Sequence, residues 1–372
     1  MDRRRFVRTL GTGAIGAAAM APQAAHSIES ASKTPTNVRM RLGTQRQSRG
    51  EHGDPLPDEL LQFFARHGVE GFCGFPTITE DRRWDLDEIR RMQDKSDAAG
   101  VKLEILGGPL ANGSLYGPFP HILLGKDPER DREIELFCDM IGVAARAGVP
   151  CVKYNLSILK VLRTEPTPGR GGSQYSTWVY AKAPKLPLTA AGEVPGELFW
   201  ERITYFLERV VPVATEHKVR LACHPHDPGV PPQGYQGIDR VLGTVEGLKR
   251  FIEIATSPYH GLNFCIGSVA EMLHDPANEI ADVVRYFGER DKLFMIHFRN
   301  IRGRRDDFQE VYPDNGDLDM VELMRVLKEV DYPHLVMPDH MPQHPNDSNG
   351  RQAFAYGYGY IKALIQVVSS EA

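Results

Sequence analysis

Cysteine is scarce in this chain, and the five present do not form a disulfide framework. Cys73, Cys138, Cys151, Cys223 and Cys265 are odd in number and widely spaced, unlike the paired, closely set cysteines of a stapled fold. A long basic run is also missing, and the formal net charge is -5. Both features argue against nucleic acid or an acidic membrane surface as partner. Beyond the N-terminal segment, no stretch reaches the ~20 apolar residues of a membrane span. No Gly-rich phosphate fingerprint follows the first strand-like run, which argues against dinucleotide binding. The rest of the composition is ordinary, with 41% hydrophobic and 25% charged residues. Such a chain can bury a full core and is neither disordered nor fibrous.

The first residues read as a targeting segment rather than as part of the fold. Arg3, Arg4, Arg5 and Phe6 give a twin-arginine pattern, and an Ala/Gly-rich apolar stretch follows from Thr9 to Ala21. Small residues near Ala24 and Ala25 offer a cleavage site. The expectation is a signal peptide over 1–25, a linker over 26–37, and a periplasmic or secreted mature protein exported already folded.

From residue 38 to 372 short apolar runs alternate with amphipathic ones. Strands are expected near Arg39–Gly43, Gly71–Gly74, Lys102–Leu106, Cys151–Tyr154, Arg220–Cys223, Asn263–Cys265, Leu293–His297 and Leu335–Met337. Helices are expected near Pro57–His67, Leu86–Ala99, Pro128–Ala147, Glu197–His217, Val245–Ala255, Ile280–Phe287, Asp319–Val330 and Gln352–Val367. In Glu133–Ala147 the apolar residues Ile134, Phe137, Ile141, Ala144 and Ala145 recur at helical spacing. A helix, a Gly-Val pair and a strand follow one another at Gly68-Val69, Gly100-Val101 and Gly148-Val149. Eight such alternations predict a single closed (β/α)8 TIM barrel. From Leu156 to about Pro195 the chain is rich in Gly, Pro, Ser and Arg. This long loop after the fourth strand reads as a lid or substrate-clasping loop.

Four successive strand ends offer a metal ligand: His224, Cys265, His297 and Asp339. The steps between them are 41, 32 and 42 residues, each about one βα unit, so in a barrel they converge above the strands. Imidazole and thiolate favour late divalent ions, while carboxylate also accepts manganese or iron. Manganese, iron, cobalt and zinc all fit such a set.

The segments around these residues resemble the mannonate dehydratases, a family of xylose-isomerase-like TIM barrels. Cys223-His224-Pro225-His226-Asp227-Pro228 is similar to their His-Pro-Asp-Asp-Pro segment, and Gly261–Ser268 to their Gly-Leu-Thr-x-Cys-x-Gly-Ser segment. Ile296–Ile301, Pro338-Asp339-His340 and Gly316–Met320 are similar to three more, and Lys153-Tyr154-Asn155 falls where the family has Tyr-Asn. The resemblance implies a divalent metal, usually manganese, on His224, Cys265, His297 and Asp339. It implies loss of water from D-mannonate to give 2-dehydro-3-deoxy-D-gluconate, a small sugar acid being the partner. His340 is then the general acid/base, and Lys153, Tyr154, Asn155, Arg299, Asn300 and Arg351 are candidates to bind substrate. Asp317 and Asp319 read as a helix cap and a first-turn acid.

Departures are plain. The family's catalytic Tyr before the last helix has no counterpart in Pro345–Gly350, so Tyr356 is the first candidate to replace it, ahead of Tyr358 and Tyr360. His226 stands where the family has Asp, and Met337 where it has Arg before Pro338. Two other functions use the same site. A sugar isomerase, epimerase or glycoside-cleaving lyase needs the metal but no substrate carboxylate. An exported sugar-binding protein needs the site without turnover. A homo-oligomer is compatible with all three.

Overall fold

The computed structural model describes residues 38–46 and 54–371. The expected signal peptide and linker lie outside the described residues. Eight parallel strands close on themselves in sequence order: Arg41–Thr44, Gly71–Gly74, Lys102–Gly107, Cys151–Asn155, Arg220–His224, His260–Cys265, Leu293–His297 and Leu335–Met337. The last pairs with the first through Arg41 with Leu335 and Leu42 with Val336. The fold is therefore the expected single (β/α)8 barrel. Among the described residues, no helix is long and apolar enough to cross a membrane.

Amphipathic spacing builds the outer layer. In the helix Glu129–Arg146 the buried face is Ile134, Phe137, Met140, Ile141 and Ala144, one stripe facing the strands. The three Gly-Val joins have one physical cause. Gly68, Gly100 and Gly148 sit at φ 71, 71 and 73°, the left-handed conformation that ends a helix and that glycine adopts without strain. Side chains of Phe64, Phe72, Phe137, Phe199 and Phe206 fill the space between strands and helices.

The barrel interior is a second, separate apolar cluster. It includes Cys73, Ile105, Cys151, Ala222, Met295, Leu335 and Met337. Side chains on a strand alternate between its two faces. The residues two positions further on, Lys153, His224, His297 and Asp339, therefore share the interior face at the C-terminal rim. Gly43 occupies the same face of the first strand, where a Cβ would lie 2.8 Å from Leu335 Cβ.

The segment after the fourth strand differs from an open lid. Thr167–Pro168 pairs with Gln174–Tyr175, and Thr177–Val179 adds to a hairpin made by Asn300–Arg304 and Asp307–Val311. This hairpin, which follows the seventh strand, was not expected from the sequence. Trp178 is opposite Phe308 and 1% exposed, and the Tyr175 hydroxyl donates to Asn315 Oδ1 at 2.7 Å. The aromatics of the loop thus form a small core of their own, and the loop is a strap fastened to the hairpin. Asp319, expected as a first-turn acid, is itself the cap of the helix Met320–Glu329, its side chain accepting from the Val321 and Glu322 amides. Asp317 instead accepts from the Gly303 amide at 2.7 Å within the hairpin.

Trp178→Ala should detach the strap, because truncating a buried Trp costs about 3–5 kcal/mol. Limited trypsin digestion should then cut at Arg163, Arg170 or Lys182, where the unmodified chain resists. Equal resistance of both forms would show that the strap does not depend on this core.

Candidate metal centre

His224, Cys265, His297 and Asp339 meet at the rim of the barrel, with one donor atom from each lying within 4.8 Å of the others. All four are buried. Asp339 Oδ2 is 3.4 Å from His297 Nδ1 and 3.8 Å from Cys265 Sγ. The imidazole rings of His224 and His297 are 5.1 Å apart.

The chemistry of the donors suits a divalent cation. Burial, with His297 and Lys153 nearby, pushes His224 well below the usual imidazole range. Burial likewise lowers His297, so both rings are neutral, the form that ligates. His224 Nδ1–H donates to the Pro225 carbonyl at 2.7 Å, which leaves the Nε2 lone pair free. Burial opposes the charge of Asp339, but His297, His340 and Arg299 hold its carboxyl well below the carboxylate range. Burial pushes the Cys265 thiol up, and a bound cation is what would bring it down to the ligating thiolate. The Ser268 amide already donates to Sγ at 3.4 Å.

One buried atom is unexplained without a cation. His297 Nδ1 has no hydrogen-bond partner, and neither has Asn263 Oδ1, although Asn263 Nδ2 lies 3.3 Å from His297 Nε2. With the Asn263 amide turned over, Oδ1 accepts from Nε2–H and Nδ1 presents a bare lone pair to the cluster. An unpartnered buried nitrogen costs about 1–3 kcal/mol, which a metal bond at Nδ1 removes. The residues present fit the group.

Beside this cluster lies a second one, made of charges. Arg299 is wholly buried and its guanidinium meets four carboxylates: Glu310 at 2.6 Å, Asp227 at 2.9 Å, Glu271 at 3.0 Å and Asp339 at 3.4 Å. Arg163, from the strap, adds contacts to Asp227 at 2.6 Å and to Glu310. Burial next to Asp227 raises Glu271 well above its usual value, with Arg299 and Arg163 opposing. His340 stands at the exposed edge of this network, at φ 41°. Its Nδ1 faces Glu310 Oε1 at 2.7 Å and also touches Arg299. Burial disfavours the imidazolium, but Asp339 and Glu310 outweigh it and raise His340 above the ordinary imidazole range. Nδ1 is thus engaged and Nε2 is left to work.

A cavity of about 460 Å³ opens against His340, Glu310, Arg163, Gln174 and Ser176. That size suits a small polar ligand. A larger cleft of about 1180 Å³ lies on the hairpin; neither cavity is lined by the four ligand candidates themselves, and the smaller one reaches the site through His340, next to Asp339.

Several expected site residues are elsewhere. Tyr154 points outward and packs on Phe137 and Phe206: its neighbours Lys153 and Asn155 take the interior face, so alternation turns it away. Asn300 spends its amide on the hairpin, donating to Pro313 O and Leu318 O and accepting from Leu318 N. Arg351 pairs with Glu59 at 3.2 Å on the outer layer. Tyr356 lies on the surface beside Tyr312 and Arg170, while Tyr358 is buried with its hydroxyl 2.7 Å from Thr44 Oγ1. Arg299 is in the site but is saturated by acids, so it holds the protein's own groups rather than a substrate carboxylate. Asn155 is brought beside His224 across the strand pair. His226 donates Nε2–H to Leu156 O at 2.8 Å and anchors the start of the strap. Sequence reasoning missed Glu310, Arg163 and Asp227, whose role depends on the hairpin and strap.

Known proteins are similar to this chain in sequence and fold. The profile of the family described as D-mannonate dehydratase (UxuA) matches residues 184–370. A mannonate dehydratase of Thermotoga petrophila is 30% identical over 328 residues, spanning 78% of this chain and 87% of its own. The chain belongs to the mannonate dehydratase family. A further member from Thermotoga neapolitana is 29% identical over 361 residues, spanning 86% of this chain and 96% of its own. The crystal structure of mannonate dehydratase from Streptococcus suis superposes with a TM-score of 0.76 at 24% identity, over 89% of this chain and 93% of that one; it supports the fold.

Arg299→Met tests whether the guanidinium is structural. Removing one partner from a buried ionic network costs about 3–5 kcal/mol, so urea denaturation should show a loss of that order, without any ligand present. A change below about 1 kcal/mol would return Arg299 to the substrate-binding candidates.

Proposed function

We propose that this protein is a metal-dependent hydro-lyase that removes water from D-mannonate to give 2-dehydro-3-deoxy-D-gluconate. The observation that carries the reading is the convergence of His224, Cys265, His297 and Asp339 beside His340, on segments similar to those of the family. Membership in the mannonate dehydratase family supports the substrate.

The proton next to a carboxylate is weakly acidic, and its loss spreads negative charge over the carboxylate. A divalent cation, manganese in this proposal, held by the four residues would stabilise that charge as a Lewis acid. The chain's own groups do the rest. Lys153 Nζ, fixed at the rim, offers a cation for the substrate carboxylate. His340 Nε2, in its neutral form, which a cation bound to Asp339 would favour, takes the proton from C2 and passes it to the C3 hydroxyl, which departs as water, and the enol left behind ketonises. Glu310 on Nδ1 orients the ring and stabilises its charged form. Removal of a positioned proton carrier typically costs 10²–10⁴-fold in rate. The isomerase alternative needs no cation for a carboxylate, and Lys153 favours the sugar acid.

The test is turnover of D-mannonate by protein lacking residues 1–25, following 2-keto acid formation with and without Mn2+. Metal-dependent product is expected, and His340→Asn should lower kcat by at least about 100-fold with bound metal unchanged. Absence of product with metal still bound would refute the substrate.

Export by the twin-arginine route is part of the same proposal, supported by Arg4, Arg5 and the apolar stretch that follows. Replacing both arginines by lysine should leave the full chain in the cytoplasmic fraction, where the unaltered chain reaches the periplasm. Equal distribution of the two would contradict export by this route.

A further inference from the structure

The first strand supplies no ligand to the cluster, yet its end reaches into it. Gln45 lies two residues beyond Gly43, so alternation returns it to the interior face. Its amide makes two hydrogen bonds at once. Nε2 donates to Asp339 Oδ1 at 2.7 Å, and Oε1 accepts from Lys153 Nζ at 2.9 Å.

The partners fix the orientation of this amide. Turned over, it would set a carbonyl oxygen against a carboxylate and an NH2 group against an ammonium, both repulsive. Gln45 therefore bridges an anion and a cation with the matching end towards each. The bond has a consequence for Asp339. Oδ1 is committed to Gln45, and the other oxygen, Oδ2, is the one that faces His297 Nδ1, Cys265 Sγ and Arg299. A ligating carboxylate held in this way offers one oxygen and not two. At its other end the amide holds the Lys153 ammonium, whose charge already acts on His224 and His297.

We propose that Gln45 is a positioning residue, which keeps Asp339 a one-oxygen ligand and sets the Lys153 ammonium at a fixed place beside the metal centre. The proposal rests on the metal reading of the four-residue cluster, but not on the identity of the substrate. Loss of a hydrogen-bond partner to a metal ligand typically lowers metal affinity 10–100-fold. A freed Lys153 should in addition raise KM more than it lowers kcat, because it loses placement and not chemistry.

The discriminating variant is Gln45→Met, close in length and shape but with neither donor nor acceptor. Mn2+ affinity is measured without substrate by electron paramagnetic resonance, on the folded chain lacking residues 1–25, together with a thermal melt. The expected result is a Kd weakened ~10–100-fold and a changed spectrum of the bound ion, since Asp339 is free to turn both oxygens inward. If Gln45→Met does not fold, Gln45→Asn carries the test. It keeps a polar amide but is one methylene too short to span Asp339 and Lys153, and should weaken Mn2+ several-fold with the Lys153 charge unchanged. A folded variant that binds Mn2+ with unchanged Kd and spectrum would overturn the role of Gln45 and leave the metal reading standing. An unmodified chain that binds no Mn2+ would overturn both.

Discussion

Arg299 is the cation on which the upper rim of the barrel depends. It follows the seventh strand, and acids reach it from the end of the fifth strand, from the turn after the sixth, from the hairpin and from the end of the eighth. Five separate pieces of chain are thus tied to one point where no water competes. Such a network is costly to bury and costlier to break. Stability alone does not account for it, since apolar packing would serve as well. Its use here is placement: Asp339 is held at the metal cluster, and Glu310 is held against His340. Ligand and proton carrier are adjacent in sequence, and Arg299 touches both.

The strap and hairpin complete this arrangement. They bring in Arg163 and Glu310, neither of which lies on a barrel strand. Their small aromatic core, Trp178 with Phe308 and Tyr175, holds the two segments together independently of the barrel. The site is therefore assembled from two layers. Strand ends supply the metal-binding candidates, and the fastened loops supply the charges that tune the proton carrier.

Much of this was legible in the sequence, and the limits have a physical cause. The spacing of His224, Cys265, His297 and Asp339 marked four successive strand ends, and a closed barrel converges such ends whatever its loops do. The helix joins were legible because glycine has a special reason to stand there. Side-chain direction decides which neighbouring candidates enter the site. Lys153, Tyr154 and Asn155 are adjacent in sequence, and alternation sends the middle one outward. Gln45 could have been found by the same rule, two residues beyond a glycine facing the interior. Asn300 and Glu310 could not. Their partners are set by an antiparallel hairpin whose sequence, Arg302-Gly303-Arg304-Arg305-Asp306-Asp307, has no apolar alternation. Tyr356 and Tyr360 share one face of the last helix, Arg351–Ser370, with their rings 6.3 Å apart, while Tyr358 is buried against Thr44, and none of the three belongs to the cluster. The family's tyrosine has no replacement among them, which gives His340 and its Glu310 partner the larger share of the proposed chemistry.

The central claim is that one cation sits among His224, Cys265, His297 and Asp339. Crystals of the protein grown with Mn2+ and measured for anomalous scattering test it directly. The account predicts a single strong peak within bonding distance of all four donors. A peak among Asp227, Glu310 and His340 instead, or none at either place, would contradict it.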